Sequence, residues 1–405
     1  MAKWNDIRLG NFLELKRGYD LPSSQRSPGP YPLVSSSGVS DFHSKAMVKG
    51  PGVITGRYGT IGEVFFVNEN FWPLNTTLYV RDFKGNDPRF CYYFLKTLDW
   101  QKFNDKSGVP GVNRNDAHLE PVKVPLLAEQ KVVSAVLGAI DDKIDLNRCM
   151  NKTLEAMSKA IFKDWLVDFG PVRTKLNNMD PYLPEHIWRL FPDKFNEEGK
   201  PEGWMASPVK TACYRIFNGG TPKRDNSEYW IGGTVPWLTS GEVRNPYILE
   251  TKNFITDIGF ANSSAKWVDP GSTVVALYGA TAGQVSYVAN KLTTNQAVCA
   301  LMPKPTFRYF LYLSLSWSTQ TLSGMARGSA QQNLSKGLVE DFPIIFPSDA
   351  LMEVLDATLD PIFKRIIENE NEIKTLSSLR DFLLPRIMSG EVRVCEAEKL
   401  IESTL

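Results

Sequence analysis

Between Ala128 and Phe169, apolar residues recur at three- and four-residue steps: Val133, Leu137, Ile140, Ile144, Leu154, Met157, Ile161 and Trp165, with charges filling the remaining positions. That spacing lines one side of a helix and predicts a single long amphipathic helix over 128–169. A second such stretch, Leu351–Met388, carries Leu355, Leu359, Ile362, Ile366, Leu376, Leu379 and Leu383, each 222 positions after its counterpart. Asn147 and Asn369 interrupt the two seams at the same offset. A shared seam with a shared polar break predicts a duplicated unit, a globular part followed by a long helix.

The segments before the helices alternate differently. Gly52–Tyr58, Gly62–Asn68 and Thr77–Phe83 are short apolar runs broken by Gly, Pro and Asn, and read as strands, followed by a helix around Pro88–Phe103. The order recurs as Gly271–Tyr278, Gln284–Ala289, Ala297–Pro303 and a helix around Thr306–Ser318. Trp4 and Pro22 match Trp204 and Pro222 at an offset of 200, whereas Tyr58-Gly59, Asn75, Gly108 and Asn113 match Tyr278-Gly279, Asn295, Gly328 and Asn333 at 220. The 20 extra residues of the second copy therefore lie between Pro222 and Pro270 as an insertion loop.

The expected organisation is a first globular domain over 1–127, a spacer helix over 128–169, a Pro-rich packed linker over 170–203, a second globular domain over 204–347, a spacer helix over 348–390 and a tail over 391–405. Pro171, Pro181, Pro184, Pro192 and Pro201 should keep the linker out of regular structure, while Trp188, Leu190 and Phe191 should hold it against the helix. Gly390 is a helix stop. A pseudo-two-fold between the copies would make the long helices antiparallel, with Asn147 and Asn369 meeting near the centre as a layer that sets register. Pro361 could kink the second helix or mark its start.

Overall charge changes the picture only when it is divided. The chain has 46 basic and 45 acidic residues, yet residues 1–127 carry 16 against 12 and residues 204–347 carry 12 against 8, so each globular part stands at +4. The helical segments compensate, with 11 against 13 over 128–203 and 7 against 12 over 348–405. This division suggests an anionic ligand for the globular parts and protein partners for the helices. Cys91, Cys149, Cys213, Cys299 and Cys395 are odd in number and form no Cys-x-x-Cys pair, which argues against a disulfide framework or a zinc site and fits a cytoplasmic location. Met1–Gly10 has no signal-like apolar core and no run is long enough to span a bilayer.

Candidate chemistry is polar rather than catalytic. Gly56-Arg57-Tyr58-Gly59-Thr60-Ile61-Gly62 has the look of a phosphate loop but runs on into strand at Glu63–Val67, so it reads as a strand-to-strand turn presenting donors, as does Tyr278-Gly279-Ala280-Thr281-Ala282-Gly283. Ser35, Ser36 and Ser37 answer Thr239 and Ser240; Asn75 answers Asn295 and Gln296; Asn113 and Arg114 answer Gln332, Asn333 and Lys336. Such side chains read base edges and hold phosphates, although each taken singly reads first as a turn cap or an exposed polar residue. His43, His118 and His186 have no ligand spacing, and no Gly-x-Ser-x-Gly, Walker loop or His-Glu-x-x-His is present. Asn245-Pro246-Tyr247 lacks the second proline of an adenine-flipping motif and reads as a turn.

The two Tyr-Gly-x(2,3)-Gly units, the helix ends Leu-Val-Asp-Phe-Gly-Pro and Leu-Pro-Arg-Ile-Met-Ser-Gly-Glu-Val, and the segment from Phe191-Pro192-Asp193 to Gly203-Trp204 resemble the specificity (S) subunit of type I restriction-modification enzymes over essentially the whole chain. The resemblance implies an α+β fold in which two similar target-recognition domains are separated and joined by two long antiparallel coiled-coil helices. Each domain would read one half of a bipartite, asymmetric DNA site, and the helices would act as a spacer. It implies a non-catalytic chain without cofactor of its own. Two methyltransferase (M) subunits would bind S-adenosylmethionine, and restriction (R) subunits would bring ATP and Mg chemistry. A 42-residue helix is about 63 Å long, more than one turn of duplex. Two other classes stay open on the residues alone: a stand-alone adenine methyltransferase or restriction enzyme with degenerate motifs, and a coiled-coil scaffold with heads that do not bind DNA.

Overall fold

The computed structural model describes residues 4–104, 111–326 and 333–392. They form two compact units, one drawn from Met1–Leu146 with Ile373–Leu405 and the other from Asn147–Glu372. Each long helix gives part of its length to each unit.

In the first unit, Asn5–Arg8 pairs antiparallel with Pro121–Val124, which leads directly into the first long helix, Leu127–Leu166. A four-stranded antiparallel sheet follows the order Glu14–Arg17, Thr77–Asp82, Gly52–Gly56, Val64–Val67. Gly52–Gly56 is buried along its whole length, as an apolar run in a central strand must be. A smaller sheet joins Gly38–His43, Tyr31–Ser35 and Trp72–Pro73. The helix Pro88–Lys96 starts where Asp87 accepts the Phe90 amide and a proline takes the first turn, and it buries Phe90, Cys91, Tyr93, Phe94 and Leu95.

The second unit repeats this plan. Met205–Pro208 pairs antiparallel with Pro343–Phe346, ahead of the second long helix, Asp349–Ser389. The larger sheet runs Cys213–Asn218, Val298–Pro303, Thr273–Ala276, Val285–Val288, Tyr247–Ile248. The smaller runs Asn253–Ile255, Val235–Leu238, Leu292–Thr294, Trp267–Val268. The expected insertion loop is thus a structured addition: it supplies Tyr247–Ile248 as a parallel edge strand of the larger sheet and Trp267–Val268 as an antiparallel edge strand of the smaller. Asn245-Pro246-Tyr247 leads into that edge strand, with Tyr247 buried.

Both long helices lie within two residues of the bounds read from periodicity at their starts, and the second continues unbroken through Pro361. Pro361 and Ala357, whose carbonyl loses its partner, are both exposed, so water can satisfy that carbonyl. Gly390 ends the helix at a φ of 77°, a left-handed conformation that glycine adopts without cost. Met157 departs from the reading: it is 48% exposed while Ser158 is 2% exposed. At 3.6 residues per turn a seam drifts around the helix, and by this point the buried stripe runs through Ser158 and Phe162. The linker also departs from expectation. Gly170–Leu176 and Glu185–Trp188 are short helices that use proline at their starts, where its missing N–H costs nothing, and Phe169, Val172 and Phe191 join a core with Trp165 and Trp204.

Within the second unit the two long helices run antiparallel, since Asn147 pairs with Glu372 whereas Asn151 pairs with Glu370, Asn369 and the Ile366 carbonyl. Asn147 and Asn369 are fully buried, but each reaches a different partner. Asn147 Nδ2 donates to Glu372 Oε2 at 2.8 Å, and Asn369 Nδ2 donates to Asn151 Oδ1 at 2.8 Å. The polar layer is therefore wider than a single facing pair, because the register sets Asn369 opposite Asn151, one helical turn beyond Asn147.

In each unit a guanidinium at the start of the short helix fastens it to the long helix. Arg89 donates to both oxygens of Asp142 at 2.6 and 3.0 Å and to the Gly138 carbonyl at 3.2 Å, across a gap where a Cβ on Gly138 would lie 2.9 Å from Arg89 Cζ. That contact holds the Asp142 carboxyl below the usual carboxylate range. Arg308 does the same in the second unit, donating to Asp356 at 3.0 and 3.1 Å and to Asp360 at 2.8 Å.

His118 closes the first unit's small helix Arg114–Leu119 onto the sheet, accepting the Leu15 amide through Nε2 at 2.9 Å. Burial, and then the charge of Arg114, hold its pKa below the ordinary 6.5. A folded-state value below the unfolded one means that the unfolded chain takes up the proton first. This contribution is therefore full above about pH 6.5 and is lost as pH falls through the folded value. The stability advantage of the wild-type chain over His118→Gln should shrink between pH 7.5 and 5 in urea titrations; a constant difference across that range would count against this role.

Candidate nucleic-acid interface

In the first unit, four separate loops converge on one surface. The Tyr31–Ser35 and Gly38–His43 strands are joined by the serine turn, closed by Ser35 Oγ on the Gly38 carbonyl at 3.1 Å with Gly38 at a φ of 101°. The glycine loop packs against it, since a Cβ on Gly56 would lie 1.8 Å from the Thr60 carbonyl and 3.3 Å from Ser36 Cβ. The Arg57 and Tyr58 amides donate to the Thr76 carbonyl at 2.8 and 3.1 Å, bringing in the Asn75 turn. The Arg57 carbonyl accepts the Val112 amide at 3.0 Å, which brings in Asn113 and Arg114. Ser36, Arg57, Tyr58, Asn75 and Asn113 are half-buried, and Ser37, Gly59, Thr60 and Arg114 are exposed.

The same loops meet in the second unit. The Asn295 amide donates to the Leu238 carbonyl at 2.9 Å, one residue before Thr239. The Leu334 amide donates to the Leu277 carbonyl at 2.8 Å, and Tyr278 bridges to Asn333. The turn Gly279–Thr281 links the Thr273–Ala276 and Val285–Val288 strands, as the strand-to-strand reading expects.

Several candidates serve the frame of these loops. Asn113 Oδ1 caps the Arg114–Leu119 helix by accepting the Asn115 amide at 3.0 Å. Asn295 Oδ1 accepts the Ala297 amide at 3.1 Å, and Asn75 donates to Asp20. The Thr239 hydroxyl donates to buried Glu242 at 2.8 Å, and Lys336 pairs with Glu340 at 2.9 Å. Thr281 is 4% exposed, so it belongs to the turn's frame and not to the presenting surface. Gln332 lies outside the described residues. Outward groups left to bind a ligand are Arg57, Thr60 and Arg114 in the first unit and Ser240, Tyr278, Asn333 and the amide nitrogen of Gln296, whose oxygen accepts from Thr221, in the second.

The electrostatics suit an anion. The Arg57 guanidinium lies 4.4 Å from the Tyr58 ring centroid and has no ion-pair partner among the described residues. Sequence reasoning missed a second such group, Arg224, laid over Trp230 and Trp237 on the insertion. The clue was the clustering of Lys223, Arg224, Trp230 and Trp237. Among the described residues no cluster of three or more His, Cys, Asp or Glu could hold a metal, and no helix is long and apolar enough to cross a membrane.

Two paired α+β units, each presenting an array of donors from the same loops, define a duplicated recognition module. The model of the type I restriction modification DNA specificity domain matches this chain twice, at residues 1–156 and 201–376, and the chain belongs to that family. It is 27% identical over 358 residues to the HindI specificity subunit of Haemophilus influenzae, covering 75% of this chain and 77% of that one. To the MjaIX specificity subunit of Methanocaldococcus jannaschii it is 23% identical over 374 residues, covering 90% and 82%. The crystal structure of the S subunit of a type I restriction-modification system from M. genitalium shares the fold, with a TM-score of 0.63 at 14% identity over 95% of both chains. The chain is thus a DNA specificity subunit with two target-recognition domains.

Proposed function

We propose that the two loop clusters are the DNA-reading faces, each engaging one half of a bipartite, asymmetric site. One observation carries this reading: both units build the same frame from the same loops but decorate it differently. Arg57 and Arg114 in the first unit stand where the second has buried Leu277 and Leu334. A common scaffold with changed donors is what two recognition surfaces of different sequence preference require.

In this reading the chain is non-catalytic and carries no cofactor. Its long helices dock methyltransferase subunits, two in number, that bind S-adenosylmethionine, and restriction subunits add the ATP- and Mg-dependent steps. A partner-free preparation should turn over neither labelled S-adenosylmethionine nor ATP; measurable turnover would contradict this. The central test is methylome sequencing of cells carrying the chain with its methyltransferase partner, where a bipartite methyl-adenine motif is expected.

Arg57→Ala should relax one half of that motif, at roughly 1 to 3 kcal/mol for each base edge no longer read, and leave the other half intact. Asn113→Ala should act differently, since it removes a helix cap and costs about 1 kcal/mol of stability. The counterpart change in the second unit is Tyr278→Ala with Asn333→Ala, expected to alter only the other half. Equal effects on both halves would place the reading surface elsewhere.

A further inference from the structure

We infer that Arg224 is a base-reading residue of the second recognition domain, its guanidinium taking a guanine edge in the half-site that this domain engages. The inference rests on the reading of the loop clusters as DNA-facing.

The starting observation is a deficit. The first unit's cluster presents two arginines, Arg57 and Arg114, whereas the matching positions in the second unit are Leu277 and Leu334, both fully buried. Among the described residues of those loops the cation is Lys336, and it is engaged by Glu340. A guanidinium is restored from a different element. Arg224 is exposed, and its Cζ lies 4.6 Å from the Trp230 ring centroid and 5.2 Å from that of Trp237. The first unit's exposed-side guanidinium, Arg57, is held in the same manner, 4.4 Å from the Tyr58 ring.

The shelf under Arg224 is rigid. Trp237 is fully buried and its indole N–H donates to the Gly220 carbonyl at 2.8 Å; that of Trp230 donates to the Lys223 carbonyl at 3.0 Å. The two rings meet edge to face at 5.1 Å. A guanidinium held against fixed rings loses little further freedom when it binds, and a planar fork of donors fits guanine O6 and N7. Arg224 has no hydrogen-bond or ion-pair partner among the described residues, so those donors are uncommitted.

The shelf also stands beside the cluster. Trp237 is on Val235–Leu238, the strand that runs into Thr239 and Ser240 and whose Leu238 carbonyl accepts the Asn295 amide. Thr221, three residues before Arg224, bonds Gln296.

The test uses the full chain assembled with its methyltransferase subunits, compared as wild type, Arg224→Ala, Arg224→Lys and Arg57→Ala. Readouts are the methylome motif and the salt-dependent binding of duplexes altered one base pair at a time. Arg224→Ala should relax one guanine-containing position in the half-site that Arg57→Ala leaves untouched, with discrimination there falling about 5- to 150-fold. Arg224→Lys should not restore it, because an ammonium cannot form the fork. Intact reading of the other half-site shows that the variant folds and assembles.

An unchanged motif, or a change in the half read by the first domain, would overturn the inference. So would a uniform loss of affinity across sequences with the salt slope reduced by about one, the mark of a phosphate contact. Loss of all binding by both Arg224 variants would assign the residue to folding or assembly, and overturn it equally. A wild-type complex with no bipartite motif would instead refute the two-half-site reading itself, before any variant is compared.

Discussion

Phe363→Ala is expected to destabilise the second unit by about 3 to 5 kcal/mol, the largest effect of any single truncation proposed for that unit. Phe363 is 1% exposed, and its ring centroid lies 4.4 Å from Tyr309, 5.4 Å from Tyr287, 5.7 Å from Tyr312 and 6.2 Å from Tyr247. These four tyrosines come from two strands and the helix Arg308–Trp317, so the ring is where sheet, short helix and long helix are joined. Its removal leaves a cavity the rigid strands cannot close, and forfeits about 0.5 to 1.5 kcal/mol per favourable ring pair in addition. Phe363→Leu, which keeps most of the volume, should recover more than half of the loss. Hydrogen exchange resolved by segment is the appropriate measurement: protection should fall across 147–372. If protection there fell by less than about 1 kcal/mol, roughly the cost of an ordinary substitution, the packing account would be refuted.

Arg380→Met is expected to cost the first unit about 3 to 5 kcal/mol. Arg380 Nη1 donates to Asp141 Oδ1 at 2.9 Å, Tyr93 donates to Asp141 Oδ2 at 2.7 Å, and the Arg380 and Asp141 side chains are only 17% and 14% exposed. Burial raises the Tyr93 pKa, with Asp141 adding to the effect, so the phenol stays a donor at any physiological pH. Losing the cation strands a carboxylate in poor solvent, whereas Asp141→Leu with Arg380→Met removes both charges and should be much closer to wild type. Segment-resolved exchange over 4–146 and 373–392 for the two single variants and the double would measure the coupling. Additive effects would mean that the pair is solvated and contributes little.

These two residues also show how far sequence reasoning reaches. Asp141 and Phe363 are 222 positions apart and therefore equivalent in the repeat, and each meets a tyrosine of its own unit's short helix. The periodicity located both helices and the repeat paired their positions, because burial on a helix is written into three- and four-residue spacing. Nothing in that spacing says that Tyr93 meets a carboxylate neutralised by Arg380 while Tyr312 meets a phenylalanine ring. That choice depends on which side chain the opposite helix delivers, Arg380 in the case of Asp141.

The candidate surface divides in the same way. The duplicated glycine loops, the serine and asparagine turns and the +4 charge of each globular part were legible in the amino-acid order, since turns need particular residues at particular places and repeats expose them. That the four loops meet was not, because hydrogen bonds such as those from the Arg57 and Val112 amides join segments far apart in the chain. Nor could residue type separate the binding groups from the frame. Asn113, Thr239 and Asn295 have the chemistry of base readers, but their side-chain oxygens are bonded to backbone or to Glu242, and Thr281 is buried. The sequence clusters Arg224 with two tryptophans, but only the fold shows those tryptophans, six and thirteen residues onward, returning to form the shelf beneath it. Local pattern determined the repeated helices and turns of this specificity subunit. Tertiary packing decided which of its polar side chains stay unengaged, because a donor's availability depends on every neighbour that the folded chain brings within reach.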